Sequence, residues 1–156
     1  MTVVKTWKKS RLAKEIFQPG GMAVRVAIAR AEASLESLHD RCQEVIDATL
    51  AELEATYCVG SSAPAARDFG NLYRVASRII DAAICMPGSE IDKAANALCD
   101  LADRSEESGV WDQECVDVHI QVLKLLRTGG DTLTNVQRQR MVAGLKQATS
   151  RRLGDR

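Results

Sequence analysis

Apolar residues recur four and three positions apart through the longest uninterrupted pattern of the chain, residues 22–57. This spacing follows one face of an α-helix and is close to a coiled-coil heptad. No Gly or Pro interrupts the pattern. At 1.5 Å per residue such a helix is about 54 Å long, roughly twice what a compact small domain needs. The apolar positions in the first part of the pattern are Val24, Ile28, Ala31, Leu35, Leu38, Cys42 and Val45. Beyond Val45 the apolar face shifts around the helix and continues at Ile46, Leu50, Leu53 and Tyr57.

Four shorter amphipathic helices are predicted after the long one, since apolar residues again recur at helical spacing between breakers and capping residues. The fourth helix of the chain, for example, has its core face predicted at Cys115, Val118, Val122, Leu125 and Leu126. No alternating pattern predicts a strand. The start signals are Pro64 in the first turn of the second helix, Ser89 with Asp92, Asp112, and Thr134 with Gln137.

The fold class predicted is therefore all-α, a helical bundle of one long helix and about four shorter ones. A chain of 156 residues suits one domain with a core. We assign residues 1–20 to a basic N-terminal segment, 21–149 to the bundle and 150–156 to a basic C-terminal tail.

Charge is unevenly distributed although the formal net charge is zero. Residues 1–15 and 131–156 each carry a net charge of +4, and the stretch between them carries −8. The basic ends either fold back or meet an acidic partner, or they are ordinary solvated ends. The basic run at residues 7–11 is too short and lacks a nucleic-acid-binding motif, so we expect no nucleic-acid partner. No apolar run is long enough for a bilayer, and no membrane insertion is expected.

An acidic stripe on the long helix is the first candidate for a binding surface. Like charges four residues apart repel weakly, so a basic partner, or the basic termini of the chain itself, would stabilise them. The alternative is a solvated helix face. The predicted partner-binding residues are the stripe, Glu32, Glu36, Asp40 and Glu44, and the apolar residues Leu50, Leu53 and Tyr57.

The length of the first helix also predicts self-association. Helices of about 20 residues reach only some 30 Å, so they leave part of a 54 Å helix uncovered. We expect the uncovered residues to include Val24 and Ile28 at one end and Leu50, Leu53 and Tyr57 at the other. A symmetric homodimer through the long helix would cover them. The competing prediction is a kinked helix in a monomer, with Leu12, Ile16 and Phe17 folded over the exposed end.

The chain contains five cysteines, an odd number with no closely spaced pair. This argues against a disulfide framework and against a zinc site, and it suits a reducing cytoplasm. Acidic residues cluster between Asp100 and Glu107, but exposed helical carboxylates are more typical of a solvated surface than of a metal site. We predict no metal and no cofactor.

The two histidines, His39 and His119, raise the alternative of a histidine phosphotransfer domain. Such a domain needs an exposed Nε2 and a nearby cation, and neither histidine is followed by Lys and Gly as is usual there. Cys115 lies one helical turn before His119 and is the only local candidate for an activated thiol. The sequence leaves enzymatic activity open but favours a protein without such activity. For His119, the favoured interpretation is a residue that packs in the core.

Several blocks of the sequence resemble a small alphaproteobacterial family of chemotaxis accessory proteins, the CheE-like proteins. The blocks are Pro19–Gly21, Ala31–Ala33, Leu72–Tyr73, Ile79–Ile80, Ala94–Leu101, Gly109–Asp112 and Val118–Ile120. The resemblance implies a cytoplasmic, all-helical, non-enzymatic component of chemotaxis or two-component signalling. It implies no catalytic residues. We therefore expect an interaction or adaptor protein whose partner is another signalling protein.

Overall fold

The computed structural model describes residues 23–58 and 68–154, except for the side chain of residue 131. The predictions for residues 1–20, including the folding of Leu12, Ile16 and Phe17 over the long helix, and for the last two residues lie outside this part. The described residues form helices and no strand, which confirms the all-α class. The helices are α1 Val24–Tyr57, α2 Phe69–Ala83, α3 Ile91–Ser108, α4 Gln113–Thr128, the short 3₁₀ helix Gly130–Thr132, and α5 Asn135–Leu153.

The chain divides into two compact units, Met1–Ser37 and Leu38–Arg156, so the division falls inside α1. In the first unit, the described residues are the first turns of α1. The second unit holds the remainder of α1 and the other four α-helices. At its end, α5 continues to Leu153, so the first residues of the predicted tail are helical.

Helix α3 lies at the centre of the second unit, where α2, α4 and α5 all pack against it. Half of its 18 residues are buried, and four of these are alanines. Small side chains let neighbouring helices approach closely, which is why a short helix can contact three others. The buried alanines are Ala94, Ala95, Ala97 and Ala102.

The second half of α1 is attached to this core through large side chains. Ile46 and Leu53 are fully buried. The hydroxyl of Tyr57 accepts a hydrogen bond of 2.6 Å from Asn71 Nδ2 on α2. Gln113 on α4 donates to the backbone carbonyl of Tyr57. Helix α1 is thus held by both α2 and α4 at its C-terminal end.

Local capping signals predicted two of the helix starts. The carboxylate of Asp112 accepts from the Cys115 amide at 3.0 Å at the start of α4. At the start of α5, Thr134 and Gln137 form the predicted reciprocal capping box. Both predictions are confirmed, because a side-chain cap depends only on residues within one turn.

Two other predicted helix starts are wrong. Helix α2 begins at Phe69, capped by Asp68, later than predicted, and Pro64 itself lies outside the described residues. Helix α3 has Glu90 as its N-cap residue, in the left-handed conformation with φ of 61° and without a side-chain cap. Ser89 therefore lies one residue too early to cap α3 and instead accepts from the Ile91 amide at 3.4 Å.

Candidate partner-binding face

The described residues of the first unit form an exposed helical surface. Val24 is 74% exposed, Ile28 52% and Leu35 65%. Ala31 completes the heptad spacing between Ile28 and Leu35 and is also exposed. Side chains of this size are usually buried in a helix that packs within its own domain. We name Val24, Ile28, Ala31 and Leu35 the apolar seam.

The four carboxylates of the predicted acidic stripe are all exposed. Glu32 and Glu36 lie in the first unit, and Asp40 and Glu44 lie in the second. Across residues 23–58 and 68–154, no ion pair joins any of them to Lys, Arg or His. These carboxylates are therefore accessible to a cation supplied by another molecule.

The remaining predicted partner-binding residues lie in the core. Leu50 is 6% exposed, Leu53 is 0% and Tyr57 is 2%. Their assignment to an uncovered surface is wrong, because α2 and α4 flank this part of α1. Salt bridges close its edges, at 2.6 Å between Arg78 and Glu52 and at 2.5 Å between Lys124 and Glu54.

His39 lies at the edge of the second unit, half-buried, in a chain of hydrogen bonds. Its Nδ1 is 3.0 Å from the carbonyl oxygen of Cys85, which can only accept, so Nδ1 carries the proton. At its other nitrogen, Nε2, the ring accepts from the Gln43 amide at 2.7 Å. Gln43 in turn accepts from Arg127 at 3.4 Å. Both ring nitrogens are thereby engaged, and this network holds the ring in place.

His119 is fully buried between α4 and α5. Its Nδ1 donates to the Cys115 carbonyl at 2.7 Å, which leaves Nε2 to accept from the Thr149 hydroxyl at 3.3 Å. Burial lowers the pKa of His119, although the hydrogen bond to the Cys115 carbonyl opposes this effect. The ring is therefore a neutral, hydrogen-bonded part of the core.

The pair formed by Cys115 and His119 does not have the features of an activated nucleophile. The sulfur of Cys115 lies 3.9 Å from His119 Nδ1, whose proton is directed to a carbonyl. Burial raises the pKa of the Cys115 thiol, which favours the protonated, unreactive form. Both side chains serve packing in this arrangement.

The structure shows an exposed groove that the sequence pattern placed in the core. Val118 is 44% exposed and Leu125 is 45% exposed, and together with Val122 they line a cavity of about 600 Å³ on α4. Cys115 and Leu126 are buried as predicted, but the rest of the buried face of α4 is rotated and uses Val116 and Ile120. Apolar residues cover a wide arc of this helix, so periodicity alone did not identify the packed side.

Within the described residues, no group of three or more His, Cys, Asp or Glu side chains is arranged to hold a metal ion. None of the described helices combines the length and apolar character needed to cross a bilayer.

Comparison of the chain with protein-family models, with curated proteins and with solved structures gave no match. The resemblance to CheE-like chemotaxis proteins therefore stays a prediction from the sequence blocks, and the function is argued from the surfaces described above.

Proposed function

We propose that this protein is a cytoplasmic, non-enzymatic interaction protein of bacterial chemotaxis or two-component signalling. The exposure of the apolar seam on the first turns of α1 is the observation that supports this proposal. The signalling context comes from the resemblance to CheE-like proteins, which implies the same class of partner.

The seam suits a second copy of the same helix. Its members follow the four-and-three spacing of a coiled coil, and Ala31 provides a small side chain where two helices can approach. A fully covered Val, Leu or Ile contributes roughly 1.5–3 kcal/mol. The free energy gained by covering six such side chains in a symmetric dimer is comparable with the association cost of about 4–15 kcal/mol. We therefore propose a homodimer in which the two copies pair through the first unit.

The carboxylates of the first unit provide a site for the signalling partner. Glu32 and Glu36 are exposed and lack an ion pair among the described residues. A basic helix or patch on a receptor, kinase or response regulator would neutralise them, with an on-rate that falls as salt rises. The partner is thus expected to present Lys or Arg side chains.

Affinity capture from the native cell, read by mass spectrometry, tests this function. We expect the wild-type chain to enrich a receptor, kinase or response regulator, and the double variant Glu32→Lys/Glu36→Lys to lose it. The matched control is Asp100→Lys/Asp103→Lys, which reverses two exposed carboxylates on α3. Enrichment of no signalling protein, or equal loss in both double variants, would argue against the proposal.

Phosphotransfer is the competing function, and the hydrogen bonds of both histidines weigh against it. His119 lacks solvent access, and Nε2 of His39, the nitrogen that usually accepts the phosphoryl group, is bonded to Gln43. Incubation with an active kinase followed by an assay for acid-labile phosphate separates the two functions. Label that disappears in His39→Ala or His119→Ala would replace the adaptor proposal.

A further inference from the structure

Two cysteines distant in sequence meet at the surface of the second unit. The thiol of Cys42, on α1, donates a hydrogen bond to the sulfur of Cys85, and the two sulfurs are 2.9 Å apart. Cys85 follows the end of α2, and the two residues are 43 positions apart in sequence. Both are half-exposed free thiols, whereas Cys99 and Cys115 are buried.

The contact is held on both sides by other interactions. His39, one turn before Cys42 on the same helix, donates to the carbonyl of Cys85 at 3.0 Å. The Cys85 amide donates to the carbonyl of Ala82, and the Met86 amide donates to that of Ala83, so the turn that carries Cys85 is anchored to α2. The sulfurs therefore meet because the backbone places them together.

The site is open to a small oxidant. Cys42 lines a groove of about 450 Å³ between α1 and α2, whose other lining residues include Arg41, Val45 and Arg78. Among the charged groups at this groove, Arg41 favours the thiolate of Cys42. Arg78 is paired with Glu52, and Asp81 adds a carboxylate to the lining. The pKa of Cys42 is nevertheless raised, chiefly because its thiol donates to Cys85 and also because of burial. In the hydrogen bond between them, Cys42 is the donor and Cys85 is the acceptor.

We propose that Cys42 and Cys85 form a peroxide-sensitive dithiol that closes to an intrachain disulfide. The sulfurs need to approach by only about 0.9 Å to reach the bonded distance of about 2.05 Å. A disulfide formed in response to an oxidant is compatible with a reducing cytoplasm, where such bonds are transient and regulatory. This site is independent of the proposed adaptor function.

Hydrogen peroxide, the co-reactant, accepts two electrons. In the first step the sulfur of Cys85, on losing its proton, attacks one peroxide oxygen. The O–O bond breaks, a sulfenic acid forms on Cys85, and hydroxide leaves. Sulfur of Cys42 then attacks Cys85, the S–S bond forms and the S–O bond breaks. The hydroxide lost in this second step takes the Cys42 proton and leaves as water. In total, two thiols and one peroxide give one disulfide and two waters, with the Cys85 proton neutralising the first hydroxide.

The first test uses the purified, reduced wild-type chain and a small excess of hydrogen peroxide. We expect the intact mass to fall by two hydrogen atoms, and a non-reducing peptide map to join the peptides of Cys42 and Cys85. Dithiothreitol should restore the original mass. Closing a loop of this length should also raise the melting temperature by about 5–15 °C. The absence of a Cys42–Cys85 linkage, or a linkage that involves other cysteines, would overturn the proposal without any variant.

Cysteine variants then test the order of the two steps. In Cys42→Ser, the oxidation should stop at a sulfenic acid on Cys85 that dimedone labels. Cys58→Ser is the matched control, since Cys58 is also half-exposed and should leave disulfide formation unchanged. Dimedone labelling of Cys42 in Cys85→Ser, with none on Cys85 in Cys42→Ser, would overturn the assigned order of attack.

Discussion

Truncation of one side chain in the second half of α1 tests which part of the long helix belongs to the core. Leu53 is 0% exposed, so Leu53→Ala removes three carbon atoms from a packed site. At about 0.8 kcal/mol per methylene, the transfer term is roughly 2.4 kcal/mol. The residual cavity adds to this, and we expect the free energy of unfolding to fall by about 3–4 kcal/mol.

Urea unfolding followed by far-ultraviolet circular dichroism measures this loss. The midpoint should fall by about 1–2 M urea, with little change in slope. The control is Val26→Ala on the same helix but outside the apolar seam, where the side chain is 45% exposed and the change should stay within about 0.5 kcal/mol. Similar losses in the two variants, or a loss below about 1 kcal/mol for Leu53→Ala, would refute the assignment of the second half of α1 to the core.

Three further predictions concern the second unit. Burial lowers the pKa of His119 from its ordinary 6.5, so the unfolded chain binds more protons as pH falls through that value. The stability that comes from the neutral ring is fully present above pH 6.5 and declines below it until the lowered pKa is reached. Urea titrations at several pH values should therefore show a shallower decline in His119→Gln than in the wild type. An identical pH profile for the two proteins would contradict the neutral, buried ring. Thr134→Ala removes one side of the capping box of α5 and should cost about 1 kcal/mol in chemical unfolding; no loss would mean that the cap does not contribute to stability. Replacing Gly109, which has φ of 66°, by Ala should lower the free energy of unfolding by about 1 kcal/mol. Gly144→Ala inside α5 should instead raise it by up to about 1 kcal/mol, as measured by thermal unfolding. A change of the same sign in both variants would contradict these backbone assignments.

Features that depend on neighbours along the chain were accessible from the sequence. Helical periodicity predicted the five helices, and the caps at Asp112 and Thr134 followed from residues within a single turn. The cap predicted at Ser89 failed because Glu90 takes a left-handed conformation at the start of α3. The surrounding structure, rather than local preference, sets such a conformation.

Features that depend on distant packing were not accessible. The apolar seam and the apolar residues in the second half of α1 have similar helical spacing in the sequence, yet Leu35 is exposed and Leu53 is buried. Residues of α2 and α4 bond to the part of α1 around Leu53, and the spacing of residues along α1 does not predict these contacts. Likewise, the pairing of Cys42 with Cys85 depends on how the end of α2 packs against α1, and the spacing of the cysteines along the sequence does not predict this pairing.

The mass of the full chain in solution tests the proposed role of the first unit most directly. Light scattering after size exclusion at micromolar concentration should give twice the chain mass of 17.0 kDa for the wild type. Leu35→Glu, which places a charge in the apolar seam, should give 17.0 kDa, whereas Val136→Glu at an exposed site on α5 should stay dimeric. A wild-type mass of 17.0 kDa would contradict the proposed pairing of two copies through α1.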